Sequence, residues 1–250
     1  MTRCLAACLV FLLRSVLVAQ GSAGELALYE SQRIVEMPTA GVLPRGGMLV
    51  RVLAFEQGGM LLEAVVSPLA RLQLGLGYSG TGVIGSNAIG WQGTPAVHLR
   101  WRVIEESLGF PAVALGLETL GRGATRGTTF ATPAAGAFLA LSKQFLWALG
   151  GIALHGGIGY GLDLRFNGTS PNAWAGIEQS LGRSVSASIE LNPRSLEERM
   201  PLLLNVAVRW SVLRGATLEF YLRDVFAHTA PQPIRTLGAE MIAQLSQVLW

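Results

Sequence analysis

The chain has 250 residues, half of them hydrophobic, 14% charged, with 31 glycines; soluble proteins carry about 25% charged residues and about 7% glycine. A mean hydropathy of +0.43 excludes a disordered chain, and glycines without a period of three exclude collagen. The net charge of +3 is too small to mark a nucleic-acid binder, so a membrane protein or an unusually apolar globular domain remains.

The first 23 residues predict a signal peptide. Arg3 gives a short positive region, Cys4 to Ala19 an apolar run broken at Arg14-Ser15, and Gly21-Ser22-Ala23 a cleavage site. A retained N-terminal anchor is the other reading of the same pattern. Cys4 and Cys8 both lie in this leader, so the remaining chain offers no disulfide, thiolate ligand or cysteine nucleophile. Cleavage also removes Arg3 and Arg14, leaving 17 basic and 16 acidic residues, a net charge of +1. Residues 24–46 follow as a lead or plug segment, because Pro38 and Pro44 limit its pairing as a strand.

From residue 47 the period is two. Arg71–Ser79 places Leu72, Leu74, Leu76 and Tyr78 on one face; Val97, Leu99, Trp101 and Val103 oppose His98, Arg100 and Arg102. Val185, Ala187, Ile189 and Leu191 oppose Ser186, Ser188 and Glu190. Leu202, Leu204, Val206, Val208 and Trp210 oppose Asn205, Ala207, Arg209 and Ser211, and Ala216, Leu218, Phe220 and Leu222 oppose Thr217, Glu219, Tyr221 and Arg223. Less regular runs at 48–56, 60–67, 111–119, 134–143, 149–162, 172–181 and 239–250 bring the total to about twelve strands. Separators such as Gln57-Gly58-Gly59 and Leu213-Arg214-Gly215 are turn-rich, which indicates an antiparallel meander. Only Gln144–Leu162 is long enough and uncharged enough for a helical span, and its six glycines suit a helix poorly.

Strands of about 9–11 residues with one greasy face fit an all-β, closed antiparallel transmembrane barrel over 47–250. The last run, 239–250, reads as a closing strand ending on Trp250, with Ile242 and Val248 on its face. An amphipathic helix fits the same residues less well. The polar faces would line a lumen: Arg71, His98, Arg100, Arg102, Glu118, Glu178, Glu190, Arg209, Glu219 and Arg223. Both signs are present, so a salt-bridged interior is the first expectation and a narrow solute path the second.

Motifs for chemistry are weak. Gly75–Gly80 and Gly80–Gly85 each match Gly-x-Gly-x-x-Gly, but no βαβ context surrounds them. The three histidines, His98, His155 and His228, are dispersed. Glu105-Glu106 and Glu197-Glu198 sit near predicted loops with nothing to position them as acid and base. No catalytic, cofactor-binding or metal-binding residue is therefore assigned.

Met37-Pro38-Thr39-Ala40-Gly41 with Leu43-Pro44-Arg45-Gly46 resembles the opening of the YjbH-like outer-membrane proteins. Phe110-Pro111-Ala112-Val113-Ala114-Leu115-Gly116-Leu117-Glu118, Leu139-Ala140-Leu141-Ser142-Lys143, His155–Tyr160 and Val208-Arg209-Trp210 are similar to later parts of that family. The likeness covers most of 34–226, in a chain much shorter than the exopolysaccharide-linked members. It implies an outer-membrane β-barrel of bacterial envelopes with an association to exopolysaccharide.

The leading expectation is a non-enzymatic outer-membrane barrel, structural or a narrow pore, serving envelope polysaccharide export. Its partners would be outer-membrane lipid, the barrel-assembly machinery and polysaccharide, with no nucleic acid and no cofactor. A secreted β-sandwich binding module and an outer-membrane barrel enzyme are the alternatives; the enzyme needs a hydroxyl–imidazole–carboxylate cluster that no motif announces.

Overall fold

A computed structural model describes residues 29–126, 129–161, 171–192, 202–228 and 230–245. The expected leader, Glu197-Glu198 and Trp250 lie outside the described residues. Turn-rich separators and period-two runs produce strands in this order: β1 (Gly47–Phe55), β2 (Gly59–Leu69), β3 (Leu72–Thr81), β4 (Gly90–Trp91), β5 (Ala96–Ile104), β6 (Ala112–Glu118), β7 (Arg122–Arg126) and β8 (Thr129–Thr132). Then come β9 (Gly136–Trp147), β10 (Gly150–Tyr160), β11 (Pro171–Leu181), β12 (Val185–Asn192), β13 (Leu203–Leu213), β14 (Ala216–Arg223) and β15 (Ile234–Gln244).

Twelve of these form one closed antiparallel barrel in meander order, β1-β2-β3-β5-β6-β9-β10-β11-β12-β13-β14-β15, and β15 returns to pair with β1. Closure removes both sheet edges. It also excludes the β-sandwich, which would need two open sheets packed face to face. Among the described residues no helix is long and apolar enough to cross a membrane.

Every barrel strand alternates as its sequence does. Inside lie Arg51, Glu63, Gln73, Arg100, Glu118, Ser142, His155, Glu178, Glu190, Asn205, Arg209 and Glu219, all buried. Outside, Leu62, Leu76, Trp101, Leu115, Leu141, Ile158, Ile177, Ile189, Trp210, Phe220 and Met241 are exposed, and β1 adds half-buried Met48, Val50 and Val52. The exterior is therefore an apolar belt around a charged interior, the reverse of a water-soluble sheet protein.

The two ends differ. After β2, β9, β11 and β13 the connections are two or three residues, as at Ala70-Arg71, Ala148-Leu149 and Arg214-Gly215, and after β5 the connection is the seven residues 105–111. At the opposite end the connections are longer, except for the one-turn 3₁₀ segment Glu56–Gly58 between β1 and β2. The β7–β8 hairpin and the two-residue β4 belong to this long-loop end. The chain enters β1 and leaves β15 at the short-turn end, where the Leu245 N–H donates to the Gly46 carbonyl at 2.7 Å.

Several expectations change. Arg71 does not line the lumen: it sits in the β2–β3 turn with φ of 71°, half exposed, paired with Glu105 at 2.8 Å. The alternation that points Gln73 inward ends at the turn, so parity cannot be carried one residue past it. The closing strand is Ile234–Gln244, starting directly after Pro233, so its register begins earlier than the 239–250 run. Ile242 accordingly faces inward, packing on buried Leu43, Leu49 and Val65, while Met241 faces out. Strand β2 continues through Pro68, tolerated because the pairing with β3 shifts register between Val66 and Leu69.

Candidate functional site

The lumen is filled by the chain's own N-terminal segment. Ile34, Val35, Met37, Thr39, Ala40 and Leu43 are buried, and their partners come from inward faces all around the wall. A segment that touches opposite walls at once lies within the barrel. Two backbone bonds fold its tip into a tight loop: Ile34 N–H to the Met37 carbonyl at 2.9 Å and Thr39 N–H to the Gln32 carbonyl at 3.2 Å. Pro38 forms only an isolated bridge with Arg33, in keeping with its missing N–H.

The tip is held by one carboxylate. Glu190 Oε2 accepts the N–H groups of Val35, Glu36 and Met37 at 2.9, 2.9 and 2.8 Å, and its Oε1 accepts from Asn205 at 3.0 Å. Three successive N–H groups converging on an anion form a backbone nest. The Glu36 side chain in turn pairs with Arg223 at 2.8 Å, and Arg223 also reaches Glu56 in the 3₁₀ turn. The plug therefore spans the barrel from the short-turn mouth to the long-loop end.

Arginines of the wall hold the plug backbone. Arg209 donates to the carbonyls of Arg33 and Ile34 at 2.9 and 2.6 Å. Arg100 donates to the carbonyls of Gln32 and Gly41 at 3.0 and 2.7 Å, and Arg102 to the Ala40 carbonyl at 3.0 and 2.8 Å. The same guanidinium of Arg209 pairs with Glu178 at 3.2 Å and Glu219 at 3.1 Å. Each of these buried arginines is thus met by a carboxylate or a carbonyl, which burial requires. Trp174 adds an N–H bond to the Pro38 carbonyl at 2.9 Å.

Space for the plug and its packing comes from glycine. A Cβ at Gly157 would lie 2.3 Å from the Trp174 ring, and one at Gly176 would lie 2.6 Å from Ile34. The high glycine content thus serves a crowded interior. Two cavities beside the plug measure only about 20 Å³ each, room for about one water apiece. At the short-turn mouth a more open cleft of about 400 Å³ lies between Glu30, Arg45, Arg71, Arg102 and Glu105.

Of the residues expected to line the lumen, His98, Arg100, Arg102, Glu118, Glu178, Glu190, Arg209, Glu219 and Arg223 are buried on inward faces, and Arg71 is not. The structure adds Arg51 and Glu63, which stand directly opposite each other in the β1–β2 register and pair at 2.9 Å. That pair was legible in principle: the two residues are equidistant from Gln57 in the hairpin turn. Their runs were too irregular to assign faces without the register.

A hydroxyl–imidazole–carboxylate row also emerges across β9, β10 and β11. Ser142 Oγ lies 2.8 Å from His155 Nδ1, and His155 Nε2 lies 3.9 Å from Glu178 Oε2. Its geometry is that of an anchor. The Ser142 hydroxyl accepts the plug's Ala40 N–H at 2.9 Å, and Glu178 is engaged by Ser31, Ser186 and Arg209. With the plug seated the Ser142 oxygen is covered, and the 3.9 Å between His155 and Glu178 is longer than a hydrogen bond. The Gly-x-Gly-x-x-Gly matches lie along β3 and the loop that follows it, with no helix N-terminus to receive a phosphate.

A scan against protein-family models finds no match, and a search of curated proteins finds none either.

Proposed function

We propose that this chain is a non-enzymatic bacterial outer-membrane β-barrel whose lumen is occupied by its own N-terminal segment. The observation that carries the reading is the inverted wall: large apolar side chains cover the outside of the barrel, while its charged residues point toward the plug, joined there by a few apolar ones such as Leu53, Phe55 and Leu61. Such an exterior is stable against hydrocarbon and unfavourable against water, and closure satisfies the backbone without solvent. Mostly short turns at the end where the chain enters β1 and leaves β15, with longer loops opposite, match the usual placement of periplasmic turns and extracellular loops.

In this reading the protein contacts outer-membrane lipid and is inserted by the barrel-assembly machinery after its leader is removed. It serves the envelope as a structural wall element or, with the plug displaced, as a narrow path. A tie to polysaccharide export is supported by the YjbH-like resemblance of residues 37–46, 110–118 and 139–143 alone. The test is fractionation of the producing cells followed by detergent extraction. The protein should sediment with outer membranes, require detergent for release, and shift its gel mobility on boiling as closed barrels do. Release into the periplasmic fraction without detergent refutes it.

A further inference from the structure

Three strands bring together a cluster that the plug contacts above do not explain. Glu63 on β2, His98 on β5 and Glu118 on β6 are all buried, and their ligand atoms lie within 4.8 Å of one another. His98 stands directly opposite Glu118 in the β5–β6 register. Both ring nitrogens of His98, and Glu118 Oε2, have no hydrogen-bond partner. A buried imidazole with two unmet nitrogens is costly, and such a group calls for a ligand.

The place between the two carboxylates is held by a cation already. One guanidinium nitrogen of the plug's Arg33, Nη2, contacts Glu63 Oε1 at 3.4 Å and Glu118 Oε1 more closely. The other oxygen of Glu63 is used separately, accepting from Arg51 at 2.9 Å and Arg122 at 3.1 Å. Glu63 can therefore offer Oε1 to an ion while Arg51 and Arg122 hold its other oxygen, the usual outer support of a ligating carboxylate. Arg100, whose guanidinium stacks over Phe138, is the remaining cation near His98, and it is tied to plug carbonyls.

We propose that Glu63, His98 and Glu118 form a binding site for a divalent transition metal, and that Arg33 of the plug occupies its cation position when the plug is seated. One imidazole nitrogen with two carboxylate oxygens suits Zn²⁺ better than Ca²⁺ or Mg²⁺, which take all-oxygen shells. The ligand atoms lie at most 4.8 Å apart, so closing them to the spacing set by Zn–ligand bonds of about 2.0–2.2 Å needs side-chain movements of about 1 Å or less. Because Arg33 and the metal compete for one position, metal binding weakens the plug's seat and plug seating lowers metal affinity by the same factor. The inference depends on the lumen geometry and stands apart from where the barrel resides.

The test uses the full chain in detergent with Zn²⁺ as the probe. Equilibrium dialysis should find about one Zn²⁺ per chain in Arg33→Ala, bound at least tenfold more tightly than in the unaltered protein, and lost in Arg33→Ala/His98→Ala. In the unaltered protein, Zn²⁺ should raise the rate of proteolytic cleavage within residues 29–46, and His98→Ala should abolish that response. His98→Ala removes no ion pair, so its barrel remains the reference even where Arg33→Ala fails to fold. Zinc retention by folded Arg33→Ala no greater than by the double variant overturns the proposal. So does plug cleavage in the unaltered protein that is indifferent to Zn²⁺.

Discussion

Removing the Glu190 carboxylate should unseat the plug tip while leaving the barrel closed. In Glu190→Ala the N–H groups of Val35, Glu36 and Met37 lose their shared acceptor, and Asn205 loses one partner. A hydrogen bond to a charged group is worth about 1.5–3 kcal/mol. One oxygen serves all three donors, so their contributions do not add in full, and a loss of about 3–5 kcal/mol from plug seating is expected. At about 1.4 kcal/mol per decade this is an increase of about 10²–10⁴-fold in local opening. Amide hydrogen exchange of the folded protein in detergent reads it directly: Val35–Met37 should speed up by that factor, while amides of β12 and β13 keep their protection. Glu190→Gln retains one carbonyl acceptor and should fall between. Unchanged exchange at Val35–Met37 refutes the anchoring role, and equal acceleration throughout the barrel refutes the plug as a separately opening unit.

Leu99→Arg should cost about 2–4 kcal/mol of folding stability in bilayers if this outward residue meets hydrocarbon; measured by denaturant unfolding in vesicles, a near-zero cost would place Leu99 in water. Arg209→Ala strips Glu178 and Glu219 of a partner and leaves two plug carbonyls unmet, a loss of about 3–5 kcal/mol. Arg71→Ala touches only the exposed pair with Glu105 and should change stability by about 0–1 kcal/mol; similar unfolding midpoints for the two variants would contradict the burial difference. In planar bilayers the chain with its plug should conduct poorly, and deletion of 24–46 should raise conductance where the barrel still assembles. Large stable channels from the undeleted protein would show that residues 29–46 do not block the path.

Alternation along the regular runs was sufficient to place side chains. Leu99 and Trp101 against Arg100 and Arg102, or Val208 and Trp210 against Arg209, needed only the two-residue repeat of a strand, which is local. The same local chemistry gave the turns, and twelve such runs in meander order leave few ways to close a sheet. It failed where parity had no local marker: past the turn at Arg71, and in the closing strand, whose start after Pro233 placed Ile242 inward and Met241 outward.

What only the tertiary structure decided is which inward residues meet. Strand register brings Ser142, His155 and Glu178 into one row, although they come from three strands whose connections no motif times. The lumen's contents lay further from reach. Glu190 binds the plug across more than 150 residues of chain, and nothing in Val35-Glu36-Met37 shows that their N–H groups will converge, since a nest is a backbone shape and not a residue pattern. Periodicity determines the faces of this wall; the position of Arg33 between Glu63 and Glu118 follows only from closing the wall around the segment that precedes it.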